Sequence, residues 1–526
     1  MFALHLRSGF GEDSRMNLLS DKWIPVRLNG CQTLITYEDL LTNNNPVEIS
    51  LDRDDMELAC LQLLIALTQV VFLPSNREEL IERISKPLSR QEYKNAVEGY
   101  YDWFDLLHSD YPFMQIPGIE SKDKTPIQKL FVGLPEGNNH SFFNQPGEVA
   151  KISLPMAAIA LYNLASNSPS FGGGFKGGLR GAAPVTSLIR IAKSVNKDQD
   201  PELGRLRRNI WFNVLHWKSI RKLMPKYEGM QFSDYDNHRF EDKLTWLRPI
   251  KVNEEIWAHD IGLARGIFWQ PAHILLNVEQ NESVCDVLGV QTPYAVSSFQ
   301  KEKFKFDVLD LWRHPHSPTT WSQKKDLKQE KYVSFTTTAP AWTKLNQFLL
   351  SQESEKDGNT TAAVIDQFLE LTGGLHGLEF SMGGYRNKQS LVLERRHEHF
   401  RLNAGWENHK NDLLTIVELG TSVKTLLRKH FYSIEKRIGA KGIANLAERQ
   451  YYRQTEHLIH GMLRDSDWQE SDSNIKELCK QLTVTAMSIF DDVTHVYSHD
   501  PRSIKTIAYA RKGLNQEFKK LKGDKS

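Results

Sequence analysis

Cysteine, net charge and long apolar runs are all scarce in this chain of 526 residues, and each shortage excludes a class of protein. The four cysteines, Cys31, Cys60, Cys285 and Cys479, are too few for a disulfide scaffold, and none stands in a CxxC or CxxxxC pair. A reducing, cytoplasmic setting is the expectation. Against 65 Asp and Glu stand 66 Lys and Arg, so a formal charge of +1 supplies no global field to gather nucleic acid or anionic membrane. Any such partner has to be met by local features. The longest apolar run, Leu58 to Leu73, is interrupted by Gln62, Thr68 and Gln69 and falls short of the ~18 residues a membrane span needs. It reads as a buried core helix, and no membrane partner is expected. The opening MFALHL is too short for a signal-peptide apolar region. Residues 1–15 read as an N-terminal extension ahead of a strand-like segment, MNLLSDKWIPV, that begins at Met16.

What the chain does contain is core material. With 40% hydrophobic residues, 12 Trp and 25 Phe, it can fill a sizeable interior, which rules out wholesale disorder. From Leu18 to about Arg396, short β-rich runs such as Trp23–Val26 and Tyr332–Thr338 alternate with helical stretches and many Gly, Pro and Asn turns. The fold class expected is α+β: a large irregular mixed domain over 16–400, followed by a four-helix bundle over 401–526 with a basic tail. Breaks near Gly439–Gly442, Asp465–Asn474 and Ser498–Pro501 separate the four helical segments. The third carries Ile475, Leu478, Leu482, Ala486, Ile489 and Val493 at spacings of three and four, one stripe of a helix. The fourth carries Ile504, Ile507, Leu514, Phe518 and Leu521, with Asp500 and Pro501 suited to the N-cap and first helical positions. One apolar stripe per helix requires partners, hence a bundle.

From Pro501 to Ser526 the local charge is +6, which leaves −5 on the rest of the chain. That terminal segment is either a solvated helix face or a phosphate-facing surface.

The densest local signal is FGGGFKGGLRG, Phe171 to Gly181. Gly172, Gly174 and Gly177 satisfy GxGxxG, but no apolar strand enters the motif and Pro184 forbids the helix that should leave it. Nor is it a Walker loop, since Gly178 stands where Lys is needed. It is a loop whose backbone can approach another molecule unobstructed, with Lys176 and Arg180 as cations and Phe171 and Phe175 as anchors into the core. The bland alternative is a tight structural crossover.

KEKFKF, Lys301 to Phe306, alternates with period two, which predicts a strand with Lys301, Lys303 and Lys305 on one face and Phe304 and Phe306 behind. SFFNQPG, Ser141 to Gly147, and GGYRNKQS, Gly383 to Ser390, read as turns, the second displaying Arg386, Asn387, Lys388 and Gln389. Histidine pairs at His314/His316, His397/His399 and His457/His460 invite a metal-dependent hydrolase reading. However, no HExxH or other zinc-hydrolase spacing accompanies them, and no GxSxG or Cys/His arrangement stands out. The carboxylates Asp52, Asp54, Asp55 and Glu57 precede a helix, where they suit its dipole. Neither a cofactor nor a catalytic metal is expected.

Taken in order, these strings resemble the CasA family, the large subunit of the type I-E CRISPR surveillance complex Cascade. The resemblance runs from Met16 to about Leu521 and includes NLLSDKWIPV, RDDMELA, FFNQPG, FGGGFKGGLRG, GIFWQPAHI, LWRHPHSP, FTTTAPAWT, MGGYRN, LERRH and AERQYYRQTE. It implies a subunit with no catalytic centre of its own. Such a subunit reads the protospacer-adjacent motif in double-stranded DNA, helps open the duplex and offers a landing surface for a helicase-nuclease in antiviral defence. Residue by residue, the resemblance puts the groove-contacting glycine at Gly173, the lysine finger at Lys303 and the glutamine wedge at Gln389, with Lys388 beside it. The loop that meets the guide RNA and a neighbouring Cascade subunit falls on Phe142, Phe143, Asn144 and Gln145. Lys324 and Lys325 align with a basic pair that guides the displaced strand.

Two departures stand out. Some members carry two cysteine pairs with zinc-ligand spacing, whereas Glu148–Leu154 and Glu282–Leu288 here hold only Cys285, so a structural zinc is not carried over. Lys388 also stands where a relative has Asn, which implies different hydrogen bonding at that step and a trade of specificity for phosphate attraction.

Overall fold

The computed structural model describes residues 16–134, 147–190, 203–324, 327–373 and 377–523. They form two compact units. The first draws on the chain up to Thr336 together with Glu355–Leu371 and Ser381–Glu398; the second gathers Thr337–Ser354, Thr372–Phe380 and the chain from His399 onward.

The core of the first unit is built on two apolar helices, α1 (Asp54–Val71) and α2 (Leu154–Ser166), which pack on one another. The expected core helix is α1, and its interrupting polar residues are satisfied inside. Gln69 exchanges two bonds with the backbone of Leu215 at 2.9 and 2.7 Å, and Gln62 donates to Thr186 and accepts from Asn167. These bonds let a polar side chain occupy a buried face, because an unpaired buried amide costs about 1–3 kcal/mol. Asp54, Asp55 and Glu57 occupy the first turn of α1, at the positive end of its dipole.

After α2 the chain runs through the glycine-rich segment into strand β1 (Thr186–Arg190). Strand β2 (Glu254–Trp257) precedes a long antiparallel hairpin of β3 (His273–Val284) and β4 (Gln291–Glu302), in which Ile274 faces Lys301 and Leu276 faces Phe299. Strand β4 stops at Glu302; β5 (Phe306–Leu309) then pairs in parallel with β2. The single strand expected over KEKFKF is therefore two strands with a bridge at 303–305. Its alternation survives, since Lys303 and Lys305 are exposed while Phe304 and Phe306 are buried. Lys301, however, turns aside to stack over Phe171 and Phe299.

Strands β6 (Thr319–Lys324) and β7 (Leu327–Tyr332) pair antiparallel. The strand expected over Tyr332–Thr338 thus ends where it should begin, and beyond it only isolated bridges at Ser334 and Phe335 remain. The last two strands, β8 (Leu378–Lys388) and β9 (Leu391–Leu402), are joined by Gln389 and Ser390 alone and continue the sheet in the order β9-β8-β1.

The second unit ends in four helices: α3 (Lys410–Ile438), α4 (Ile443–Asp465), α5 (Ser471–His495) and α6 (Pro501–Gly523). Short links alternate their directions, and α3 packs against each of the others. Left-handed Gly439 (φ 73°) and Gly442 (φ 92°) make the first break. Asp500 caps α6 by accepting from the Arg502 amide at 3.1 Å and the Ser503 hydroxyl at 2.6 Å. The whole stripe expected on α5 is buried. On α6 the stripe is offset: Ile504 is 49% exposed, and Ser503 and Ala510 take inward positions beside Leu514 and Phe518. Ranking by hydrophobicity chose Ile504 over its smaller neighbour Ser503, whereas the cap geometry turns Ser503 inward.

Candidate nucleic-acid interface

The glycine-rich segment is pinned at its far end and exposed at its tip. Arg180, a candidate cation from the sequence, is instead a buried structural brace. Its guanidinium donates to Thr186, Ser317, Asn167 and the Ser166 carbonyl within 2.8 Å, and burial lowers its pKa to about 10. At the tip, Gly172, Gly173 and Gly174 take successive φ values of 76°, 57° and 91°. A run of left-handed residues is open only to glycine without accumulating about 1–2 kcal/mol per position. The Phe175 amide donates to the Gly172 carbonyl at 3.1 Å and closes the turn. Phe171 meets Phe175 edge-on at 5.3 Å and Phe299 of β4 at 6.0 Å, which gives the loop its expected aromatic footing.

The bridge between β4 and β5 reaches this tip. The Lys303 ammonium donates to the Gly173 carbonyl at 2.8 Å, and Lys176 pairs with Asp307 at 2.7 Å. Next to the lysine, buried Phe304 stacks on His273 with ring centres 4.2 Å apart and anchors the bridge to β3. The β8–β9 turn reaches the loop as well. A Cβ added at Gly172 would stand 2.7 Å from the Ser390 hydroxyl, so loop and turn are in contact. Gln389 holds a left-handed φ of 56°, its carbonyl accepts from the Asn387 side chain, and Lys388, Gln389 and Ser390 are all exposed.

The hairpin is held from inside. The Tyr385 hydroxyl donates to Asp55 at 2.9 Å and accepts from Asn163 at 2.8 Å. Asp55 also receives both Arg53 donors at 3.1 and 2.7 Å, and Arg395 from β9 at 3.4 Å. Burial, and then the Asp55 charge, push the Tyr385 phenol well above its ordinary range, so it stays a donor. The sequence marked Asp55 only as a helix-dipole carboxylate and overlooked Ser390, Asp307 and Tyr385. Ser390 and Tyr385 stood inside the very turn segment singled out, but nothing local told which member faces the glycines.

The sequence pattern of the CRISPR-associated protein Cse1 family matches residues 17–489. The chain belongs to the Cse1 family. Over 156 residues it is 26% identical to the CasA/Cse1 protein of Thermus thermophilus, a stretch spanning 29% of this chain and 31% of that relative. The fold of this Cse1-family chain is similar to Thermobifida fusca Cse1, with a TM-score of 0.71 at 17% identity over 97% of this chain and 98% of the other. It is also similar to a chain of a structure described as a CRISPR RNA-guided surveillance complex, with a TM-score of 0.67 at 15% identity over 95% and 99%.

Of the other residues that the resemblance to the Cse1/CasA family singles out, Phe142, Phe143, Asn144, Gln145 and Lys325 lie outside the described residues, and Lys324 ends strand β6. The His314/His316 pair is buried: the His316 amide donates to His314 Nδ1 at 3.0 Å, and His316 Nε2 lies 2.8 Å from the Asn213 carbonyl. Burial lowers the pKa of His316 to about 4 and holds that of His314 well below its ordinary value. His460 stacks on Phe400 at 4.8 Å. Among the described residues, no group of three or more His, Cys, Asp and Glu is placed to hold a metal ion. Nor is any helix among them long and apolar enough to cross a membrane. The two stretches aligned with the family's cysteine pairs do lie together. Asp286 accepts from the Ala150 and Lys151 amides, both at 2.8 Å, while Cys285 is a buried free thiol.

Proposed function

We propose that this chain is the non-catalytic large subunit of a type I-E CRISPR RNA-guided surveillance complex. In this reading it recognises the protospacer-adjacent motif through the minor groove of the target duplex and starts its opening. The observation that carries the proposal is the Lys303–Gly173 bond beside the Gly172–Ser390 contact. Three segments far apart in the chain meet at one edge, where Gly173, Gly174, Lys303, Lys388 and Gln389 are all exposed.

The minor groove offers acceptors at every A·T and T·A pair and one added donor at G·C. A glycine tip lets backbone amides come within hydrogen-bond reach of that narrow groove. The Lys303 ammonium has three donors; one is spent on Gly173, which aims the other two. Donors of this kind tell few base pairs apart, so several related motifs are accepted. Gln389, presented on a two-residue turn, is the wedge. Unstacking one base step costs a few kcal/mol, offset once guide pairing propagates from the opening. Lys388 adds attraction to the adjacent phosphates.

Phe142, Phe143, Asn144 and Gln145 engage the guide RNA and a neighbouring Cascade subunit, Lys324 and Lys325 guide the displaced strand, and the assembled surface receives the helicase-nuclease that carries out antiviral degradation. Near-neutral net charge suits a subunit whose partners supply most phosphate contacts. The test is target-duplex binding by the reconstituted complex across motif variants, with Lys303→Ala or Gln389→Ala in this chain. Loss of binding or opening supports the roles; unchanged behaviour in both variants removes them.

A further inference from the structure

The glycine-rich segment and the stretch Lys301–Lys305 carry five cations between them, and four are engaged within the protein. Arg180 is sealed inside on Thr186 and its neighbours, Lys176 is paired with Asp307, Lys301 lies over two phenyl rings, and Lys303 donates to the Gly173 carbonyl. Lys305 is the exception. It is exposed, and its ammonium meets no partner among the described residues.

The backbone of Lys305, in contrast, is held. The Asn253 amide donates to the Lys305 carbonyl at 2.6 Å, from a turn in which Asn253 takes a left-handed φ of 62°. On one side Phe304 is buried against His273; on the other Phe306 faces Glu254 in the β2–β5 pair. The chain is therefore fixed before and after a side chain that bonds to nothing. Lys305 and Lys303 line one open cleft of about 790 Å³ together with Gly174 of the loop. Glu302, 3.7 Å from His273, and Glu120 line it too, so the cleft as a whole is not positive. Only a local contact with an anion is open to it.

Residues two apart on an extended chain stand on the same side, ~7 Å from one another. The minor groove is about 6 Å wide. An ammonium rooted that far from one inside the groove therefore meets the sugar-phosphate wall and not the next base edge. We propose that Lys305 binds a phosphate of the strand bordering the groove and seats the duplex while Lys303 faces the bases. The inference rests on the groove reading above and adds a division of roles to it: phosphate contacts position a duplex, and base contacts specify its sequence.

The test titrates the reconstituted complex with target duplexes carrying two motifs of different affinity, by fluorescence anisotropy over a salt series. Lys305→Gln should weaken binding to both alike, about tenfold, and lower the slope of log K against log salt by about 0.9, the value of one phosphate contact. Lys305→Arg keeps the charge and should keep the parent slope. The melting temperature of the full chain should not change in either variant, since the ammonium has no internal partner to lose. The inference is overturned if Lys305→Gln leaves affinity and slope as they were, or if it changes the ratio between motifs at constant slope. It is equally overturned if the loss traces to a complex that no longer retains this subunit. Lys303→Ala and Gln389→Ala run in parallel keep the two readings apart. Should they impair binding while Lys305→Gln is silent, only this inference falls; should both be silent, the groove reading itself falls.

Discussion

The Lys303 ammonium and the Gly173 carbonyl meet at 2.8 Å across 130 positions of sequence. The bond is exposed, so it adds little to stability; its effect is to fix where a charge stands. Lys303→Met keeps the aliphatic stem and removes the donors. Its melting temperature is expected to match the parent, while target-duplex binding by the reconstituted complex drops more than tenfold. Equal binding would show that the ammonium serves only the loop.

Neighbouring glycines should respond differently to alanine. Beyond Gly173 a Cβ meets open space, so Gly173→Ala costs only the left-handed conformation, about 1 kcal/mol. The methyl then stands on the tip and should impair duplex binding in a fold that melts normally. At Gly172 the same left-handed cost applies, and the Cβ also stands 2.7 Å from the Ser390 hydroxyl and 3.3 Å from its Cβ, so Ser390 must shift. Gly172→Ala should therefore impair opening, read by fluorescence of a base analogue beside the motif, and adding Ser390→Gly should restore much of it. Absence of rescue would argue against the contact.

Tyr385→Phe deletes a hydroxyl that serves both Asp55 and Asn163. Leaving those buried groups short of a partner should destabilise the first unit by about 1–3 kcal/mol, measurable by denaturant titration. Because the same hydroxyl anchors the hairpin, duplex opening should slow more than initial duplex binding weakens.

Acid should loosen the fold before the carboxylates titrate. His316 is held neutral by burial to about pH 4, whereas an unfolded histidine protonates near 6.5. Between those values the unfolded chain takes up a proton that the fold refuses. The stability present above about pH 6.5 is then lost as pH falls toward about 4. Denaturation midpoints across this window should decline, and His316→Gln, which keeps a donor for the Asn213 carbonyl, should decline less steeply. An identical decline would place the effect on other histidines.

Local order was readable without coordinates wherever a repeat or a cap carried it. The stripe on α5, the glycine break after α3, the Asp500 cap and the buried run from Leu58 all follow from spacing and side-chain type, because neighbours in sequence suffice to define a helix face. The Lys303/Phe304 alternation was readable for the same reason, even though the strand was not. Which cation faces water was decided only by the fold: Arg180 is sealed inside by four oxygen acceptors and Lys303 stands outside, though both lie in segments that looked alike as candidates. The meeting of Gly172 with Ser390, and the burial of Asp55 under Tyr385, likewise depend on how sheets and helices close over long loops. No local period encodes such contacts, since they join residues whose separation along the chain bears no relation to their distance in space.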